Sequence, residues 1–286
     1  MEARSDAHRP PVSMARMEVL ARSVPVYTYV DRNGRDEWTV ARGALGDGGA
    51  RWLPVRKPEL YVGEVFQSLA KAQGIQLKSP EILKVEPEGR LLVSHESAPL
   101  RVILRDMLKW STNLTAEVVG LTATRARTGE TPGNLQQSAA EMNGWLRDKL
   151  GVPDVALVDH SGLGEDSRIS ALGMMRALSK LRLQLGLKPL LKSFPMRDDR
   201  RRVIDDHPLK VLAKTGTLNF VSGLAGFVDL PDGTEIVFAI FAADLEKRAT
   251  LTEAQRENPD GGRAWNIRAK TLQQGLIERW GVLYGT

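Results

Sequence analysis

The stretch LAKTGTLNFVSGLAGFV, Leu212 to Val228, decides how this chain folds. A strand buried in the middle of a sheet has no use for Lys214-Thr-Gly-Thr217, and a loop has no use for the apolar run that follows. Val211–Thr217, Val221–Leu230 and Thr234–Ala243 therefore read as three successive antiparallel strands, with Pro231-Asp-Gly233 as the tight turn between the last two. On an edge strand, Gly216 lets a ligand's backbone come close, and free amides can pair with an extended substrate. Lys214 could hold a carboxylate or move a proton, and Thr215 and Thr217 could hydrogen-bond a carboxylate terminus. An ordinary edge strand protected by a lysine accounts for the same residues. The tripeptide alone decides nothing.

Working outward, helices are expected over 60–73, 98–109, 114–126, 135–150, 170–186 and 263–281, where apolar residues recur at helical spacing. In the first of these, Val62, Val65, Phe66 and Leu69 share one face and Gly74 closes it. LLVSHES (91–97) reads as a short extended segment. Residues 1–55 are strand-poor apart from a hairpin, 24–30 and 37–43 around Asp31-Arg-Asn-Gly34, followed by a loop at Gly46-Asp-Gly-Gly49. They read as the remnant of another domain, placed before a second domain over 56–286.

The chain has 286 residues, 42% hydrophobic and 26% charged, enough for one large core or two small ones. No window of about 18 apolar residues exists, so no membrane span is expected. The opening MEARSDAHRPPVSMARMEVLARSVP lacks the apolar centre of a secretory signal. There is no cysteine, so no disulfide framework and no thiolate metal site, and His8, His95, His160 and His207 make no zinc spacing. Net charge is +5. The densest basic run, Met196 to Arg202, contains two aspartates and no interleaved aromatics, which fits a solvated loop better than nucleic-acid binding. A mild basic excess suits a polyanionic or carboxylate substrate.

A second candidate is Lys109-Trp-Ser-Thr-Asn113, which breaks an amphipathic stretch. Ser111 could relay a proton and Asn113 could bind a substrate carbonyl. Either could equally cap the helix that follows. The two candidates gain weight together, because Ser-x-Asn followed by Lys-Thr-Gly is part of the penicillin-binding-protein and serine β-lactamase signature. More specifically, the chain resembles the D-alanyl-D-alanine carboxypeptidase/endopeptidase family, peptidase family S13. The resemblance rests on PELYVGEVF (58–66), MLKWSTNLTAE (107–117), DHSGLGEDSRIS (159–170) and AKTGTLNFVSGLAGFV, in that order.

What the resemblance implies is an α+β fold of the penicillin-binding-protein/β-lactamase-like transpeptidase type, an antiparallel sheet flanked by helices, here N-terminally incomplete. It implies Ser111 as proton relay, Asn113 as substrate-positioning amide and Lys214 as their support, with Thr215, Gly216 and Thr217 along the substrate. The implied partners are peptidoglycan stem peptides ending in D-Ala-D-Ala and β-lactam antibiotics, in the periplasm, with no cofactor. One departure is His160, where the family has glycine. The nucleophile is expected outside this chain. Its one Ser-x-x-Lys, Ser68 to Lys71, falls on the polar face of the 60–73 helix, and a compact β-lactamase-like hydrolase using that pair is the alternative, as is a non-catalytic peptidoglycan-binding module. Without the family's first two strands, the last strand, 235–244, is expected to have an unpaired, aggregation-prone edge.

Overall fold

The computed structural model describes residues 10–45, 53–85, 87–252, 255–256 and 258–285, so the expected Gly46–Gly49 loop lies outside the described residues. Packing divides the chain into two compact units. One comprises Met1–His95 with Thr252–Asn258, and the other Glu96–Leu251 with Pro259–Thr286.

The first unit holds a three-stranded sheet, β1 (Ala15–Leu20), β2 (Tyr27–Arg32) and β3 (Arg35–Ala41), in the order β1-β3-β2. The hairpin turns at Asn33-Gly34, both with positive φ, as a tight two-residue turn requires. β3 is central and carries the buried Trp38 and Val40. The reading of the first 55 residues as strand-poor missed β1, which pairs in parallel with β3. Parallel pairing needs a partner distant in sequence, so β1 has no hairpin signal of its own. Helix α1 (Pro58–Ala72) forms where expected, with proline at its start.

The facing of α1 departs from the helical wheel. Val62 and Phe66 are 63% and 64% exposed, whereas Glu64 turns to the sheet. There the Glu64 carboxylate accepts the backbone N–H groups of Ser13 (2.7 Å) and Met14 (3.1 Å) and the Ser13 hydroxyl (2.6 Å). Three donors on one carboxylate hold α1 to the start of β1 more firmly than its apolar stripe does. Residues 91–97 form no strand or helix and join no sheet among the described residues, and Leu91, Leu92 and Val93 are exposed.

The second unit is built on a four-stranded sheet of β4 (Lys192–Ser193), β5 (Lys210–Leu218), β6 (Val221–Asp229) and β7 (Glu235–Ala243), in the order β4-β5-β6-β7, antiparallel throughout. Around it lie α2 (Leu100–Trp110), α3 (Asn113–Thr128), α4 (Leu135–Leu150), α5 (Ala171–Leu185), the short α6 (Leu245–Ala249) and α7 (Gly262–Tyr284). The strands are apolar on both faces because helices cover both. Val211, Ala213, Leu224, Val228, Phe238 and Ile240 pack with Ile277 of α7. Leu212, Ala225 and Phe227 face the other way, against Leu108 of α2 and Leu178 of α5. A third cluster joins α4 to α5 through Leu146, Leu150 and Ala177.

β7 pairs with β6 through all nine residues and has no strand on its other side among the described residues, as expected. Its sequence, EIVFAIFAA, has one charge and no proline, and Phe241 is 45% exposed. An edge without lysine, proline or bulge templates further pairing. The chain is therefore expected to self-associate in size-exclusion chromatography with light scattering, and an inward charge such as Phe241→Lys should reduce this. A monodisperse, heat-stable monomer at high concentration would contradict the expectation.

Candidate active site

The site is assembled where α2 ends and β5 runs past it. Alternation along β5 places Lys214 and Gly216 on the same face as Leu212, the face that packs on α2, and places Thr215 and Thr217 on the other. The Lys214 ammonium donates to the Ser111 hydroxyl oxygen at 2.5 Å, across 103 residues of sequence, and to the Thr215 carbonyl at 2.7 Å. The two stretches singled out in the sequence thus meet. Because Ser111 Oγ accepts from the lysine, its own proton remains available for donation elsewhere.

Ser111 holds an unusual backbone position, with φ 54° and ψ 51°, in the left-handed region. Three other helices of this unit, α3, α4 and α5, also end on a left-handed residue, and in each it is glycine: Gly129, Gly151 and Gly186. Glycine is the residue that suffers no Cβ penalty there, whereas any other costs about 1 kcal/mol or more. A serine kept where glycine fits better points to a use for its hydroxyl. Ser111→Gly is accordingly expected to raise stability by about 0.5–1 kcal/mol while removing the Lys214 contact. Calorimetric melting checks this, and a destabilised variant would mean that the hydroxyl is structural.

The capping alternative fails for both residues. α3 starts without any side-chain cap: Thr112 is the cap residue and makes no capping hydrogen bond, while Asn113 is already the first helical residue and is exposed. Asn113 therefore stands at the rim two residues from Ser111, free of a capping role. No hydrogen bond joins it to Lys214 among the described residues.

Burial of the Lys214 amine, with no carboxylate beside it, holds its pKa below the ordinary lysine range. The surroundings are cationic. Lys109 and Lys192 place their amines 5.0 and 5.7 Å from the ring centre of Trp110, which is 64% exposed. β4 pairs only with Ala213 and Leu212, so from Lys214 onward the outer edge of β5 has no strand partner among the described residues. Thr215, Gly216 and Thr217 are exposed along that edge, and a Cβ at Gly216 would meet nothing within 4 Å. An extended chain carrying a carboxylate suits such an edge: free backbone groups for its amides and three lysines for its charge.

The 159–164 loop leans on α3. The Glu117 carboxylate accepts the backbone N–H groups of His160 (3.1 Å) and Ser161 (3.0 Å), and Asp159 accepts those of Gly162 (2.8 Å) and Gly164 (2.6 Å). His160 fits because α3 presents Gly120 to it: a Cβ there would lie 2.1 Å from the imidazole. The ring's Nε2 hydrogen-bonds the Ser138 hydroxyl at 2.8 Å. Glu117 was not singled out from sequence, because a lone glutamate in a helix carries no signal of the loop it will hold.

Ser68 and Lys71 belong to the first unit. No hydrogen bond joins them among the described residues, and both line a cavity there.

A model of the D-Ala-D-Ala carboxypeptidase 3 (S13) family matches residues 28–260. The chain is 28% identical over 220 residues to a D-alanyl-D-alanine carboxypeptidase, DacB, of Haemophilus influenzae, covering 71% of this chain and 46% of that protein. It is 29% identical over 200 residues to a carboxypeptidase of Mycobacterium tuberculosis, covering 65% of this chain and 42% of that one. The chain thus spans about half the length of the curated relatives it matches. Among solved structures, penicillin-binding protein 4 of Haemophilus influenzae in complex with a β-lactam superposes with a TM-score of 0.59 at 21% identity, over 89% of this chain and 58% of that one. That similarity establishes the α+β fold of penicillin-binding protein 4. With a family model matched over most of its length and the Ser-x-Asn and Lys-Thr-Gly segments in contact, this chain belongs to the D-Ala-D-Ala carboxypeptidase 3 (S13) family.

Proposed function

We propose that this chain carries the proton-relay half of a serine-type D-Ala-D-Ala carboxypeptidase/endopeptidase site acting on peptidoglycan peptides. The observation that carries the reading is the 2.5 Å contact between Lys214 Nζ and Ser111 Oγ, made at a left-handed serine beside an open strand edge. In the reaction, the oxygen of a nucleophilic serine bonds to the carbonyl carbon of the penultimate D-Ala as its proton passes to a neighbouring lysine acting as base, and the C–N bond to the terminal D-Ala breaks. The departing amine takes a proton from Ser111, which takes one in turn from Lys214. Water then hydrolyses the acyl-serine ester. Asn113 orients the substrate amide, and Thr215, Gly216 and Thr217 offer the edge along which the peptide lies. β-Lactams would bind at the same groove, and the setting is the periplasm. No described helix is long and apolar enough to cross a membrane. Residues 1–55 are assigned to the remnant of an inserted domain and 56–286 to the transpeptidase-like domain.

Ser68 is not the nucleophile in this proposal. Labelling with a fluorescent penicillin followed by mass mapping tests that assignment: no label is expected at Ser68, and a label there would shift the reading to a compact β-lactamase-like hydrolase. A peptide ending in D-Ala-D-Ala should bind saturably and its D-Ala-L-Ala counterpart should not. Equal binding of the two would sink the substrate assignment.

A further inference from the structure

The Ser68–Lys71 segment, unused by the site above, borders a cavity of about 880 Å³ lying wholly within the first unit. Its walls are the approach to β1, the β2–β3 turn, one side of α1 and the returning chain at residues 76–80. The volume falls in the range of small-molecule sites. What lines it is unusual for a helix. α1 gives Glu64, Gln67, Ser68 and Lys71 to the cavity and leaves Val62 and Phe66 in solvent. Amphipathic helices ordinarily do the reverse, so polar and charged side chains share the wall of this open cleft with apolar ones.

The charges in the cavity do not balance. Glu64 is spent on Ser13 and Met14, which keep its pKa below the usual carboxylate range against the opposing effect of burial, the largest single influence on it. Arg35, at the start of β3, assists Glu64 at longer range without an ion pair, and Lys71 makes no side-chain hydrogen bond or ion pair among the described residues. Two cations therefore face a space whose one acid is already committed. Asn33, Gln76 and Ser79 add amide and hydroxyl groups, while Leu60, Leu77 and Pro80 supply apolar wall.

We propose that this cavity binds a short peptide bearing a free carboxylate, with Arg35 and Lys71 taking the charge and the amides and hydroxyls taking the backbone. The choice of a peptide rests on the peptidoglycan reading above; the need for an anion rests on the cavity alone. Such a site would retain acidic stretches of a peptide network apart from the Lys214 groove.

The test is isothermal titration calorimetry of the full chain with N-acetyl-Glu-Glu amide, N-acetyl-Gln-Gln amide and glucuronate. Saturable binding of the diacid is expected. It should be about tenfold weaker for the diamide and in Lys71→Met or Arg35→Met, the loss of one charge-assisted contact. Circular dichroism of both variants should match the parent, since neither residue is buried. Lys214→Ala should leave diacid binding unchanged, so loss of D-Ala-D-Ala recognition in that variant reports on the groove alone. The proposal is overturned if the diacid does not bind, if diamide and diacid bind equally, or if neither cation matters. Tighter binding of glucuronate than of the diacid would overturn the peptide assignment in favour of an acidic sugar.

Discussion

Replacing Lys214 with alanine is expected to weaken binding of a peptide ending in D-Ala-D-Ala by about 30- to 100-fold, the loss of a charge-assisted hydrogen-bond donor worth about 2–3 kcal/mol. Two consequences follow from its position. The Ser111 hydroxyl loses its only hydrogen-bond partner among the described residues, so Ser111→Ala added to Lys214→Ala should cost little more, whereas independent residues would add. The pH dependence has a definite sign. Burial disfavours the charged amine and lowers its pKa, so affinity for a carboxylate should begin to fall with rising pH before an ordinary lysine would titrate, and this limb should vanish in Lys214→Ala. For stability the sign is opposite. Between the lowered folded value and the ordinary unfolded one, the unfolded chain binds more protons, and stability rises with pH across that window. Titrations of parent and variant by calorimetry check both. Unchanged affinity in Lys214→Ala would remove the amine from recognition.

Gly226→Ala is expected to have the largest effect on folding. Gly226 sits in β6 opposite Ala213, and a Cβ there would lie 2.1 Å from the Leu212 carbonyl oxygen and 2.6 Å from the Ala213 Cα. Both obstacles are backbone atoms of β5, so no rotamer change relieves them, and the central hairpin must separate. A loss of about 3 kcal/mol or more is expected, beyond the common range for single substitutions. Gly144→Ala is the control: a Cβ there meets nothing within 4 Å in the middle of α4, and helix propensity predicts a gain of up to about 1 kcal/mol. Denaturant unfolding of the two variants compares them directly. A Gly226→Ala protein as stable as the parent would show that the β5–β6 pairing has another register.

The second unit was largely legible in the sequence because its signals are local. Apolar strand runs, the Asp232-Gly233 turn and glycine-closed helices sit within windows of about ten residues, and the order of short motifs told which two segments should meet. The first unit was less legible. β1 pairs in parallel across the hairpin, a long-range contact that leaves no turn residues behind. The wheel for α1 assumed that the apolar stripe faces a core, whereas three hydrogen bonds to Glu64 turned the helix the other way. The 91–97 segment has strand composition, but a strand exists only where a neighbour pairs with it. The left-handed turn at Ser111 was hidden as well, since a single residue's φ depends on the helix it ends and the strand it must reach. The room for His160 is likewise supplied by Gly120, forty residues away in sequence, and only the fold brings them together.

A crystal structure of the chain, refined at a resolution that fixes side-chain positions, tests the central claim most directly. The account predicts the Lys214 amine within hydrogen-bonding reach of the Ser111 hydroxyl, with Ser111 in the left-handed region and the β5 edge open beyond Ala213. A Lys214 amine turned to solvent, more than about 4 Å from Ser111 and unable to donate to it, would contradict the account.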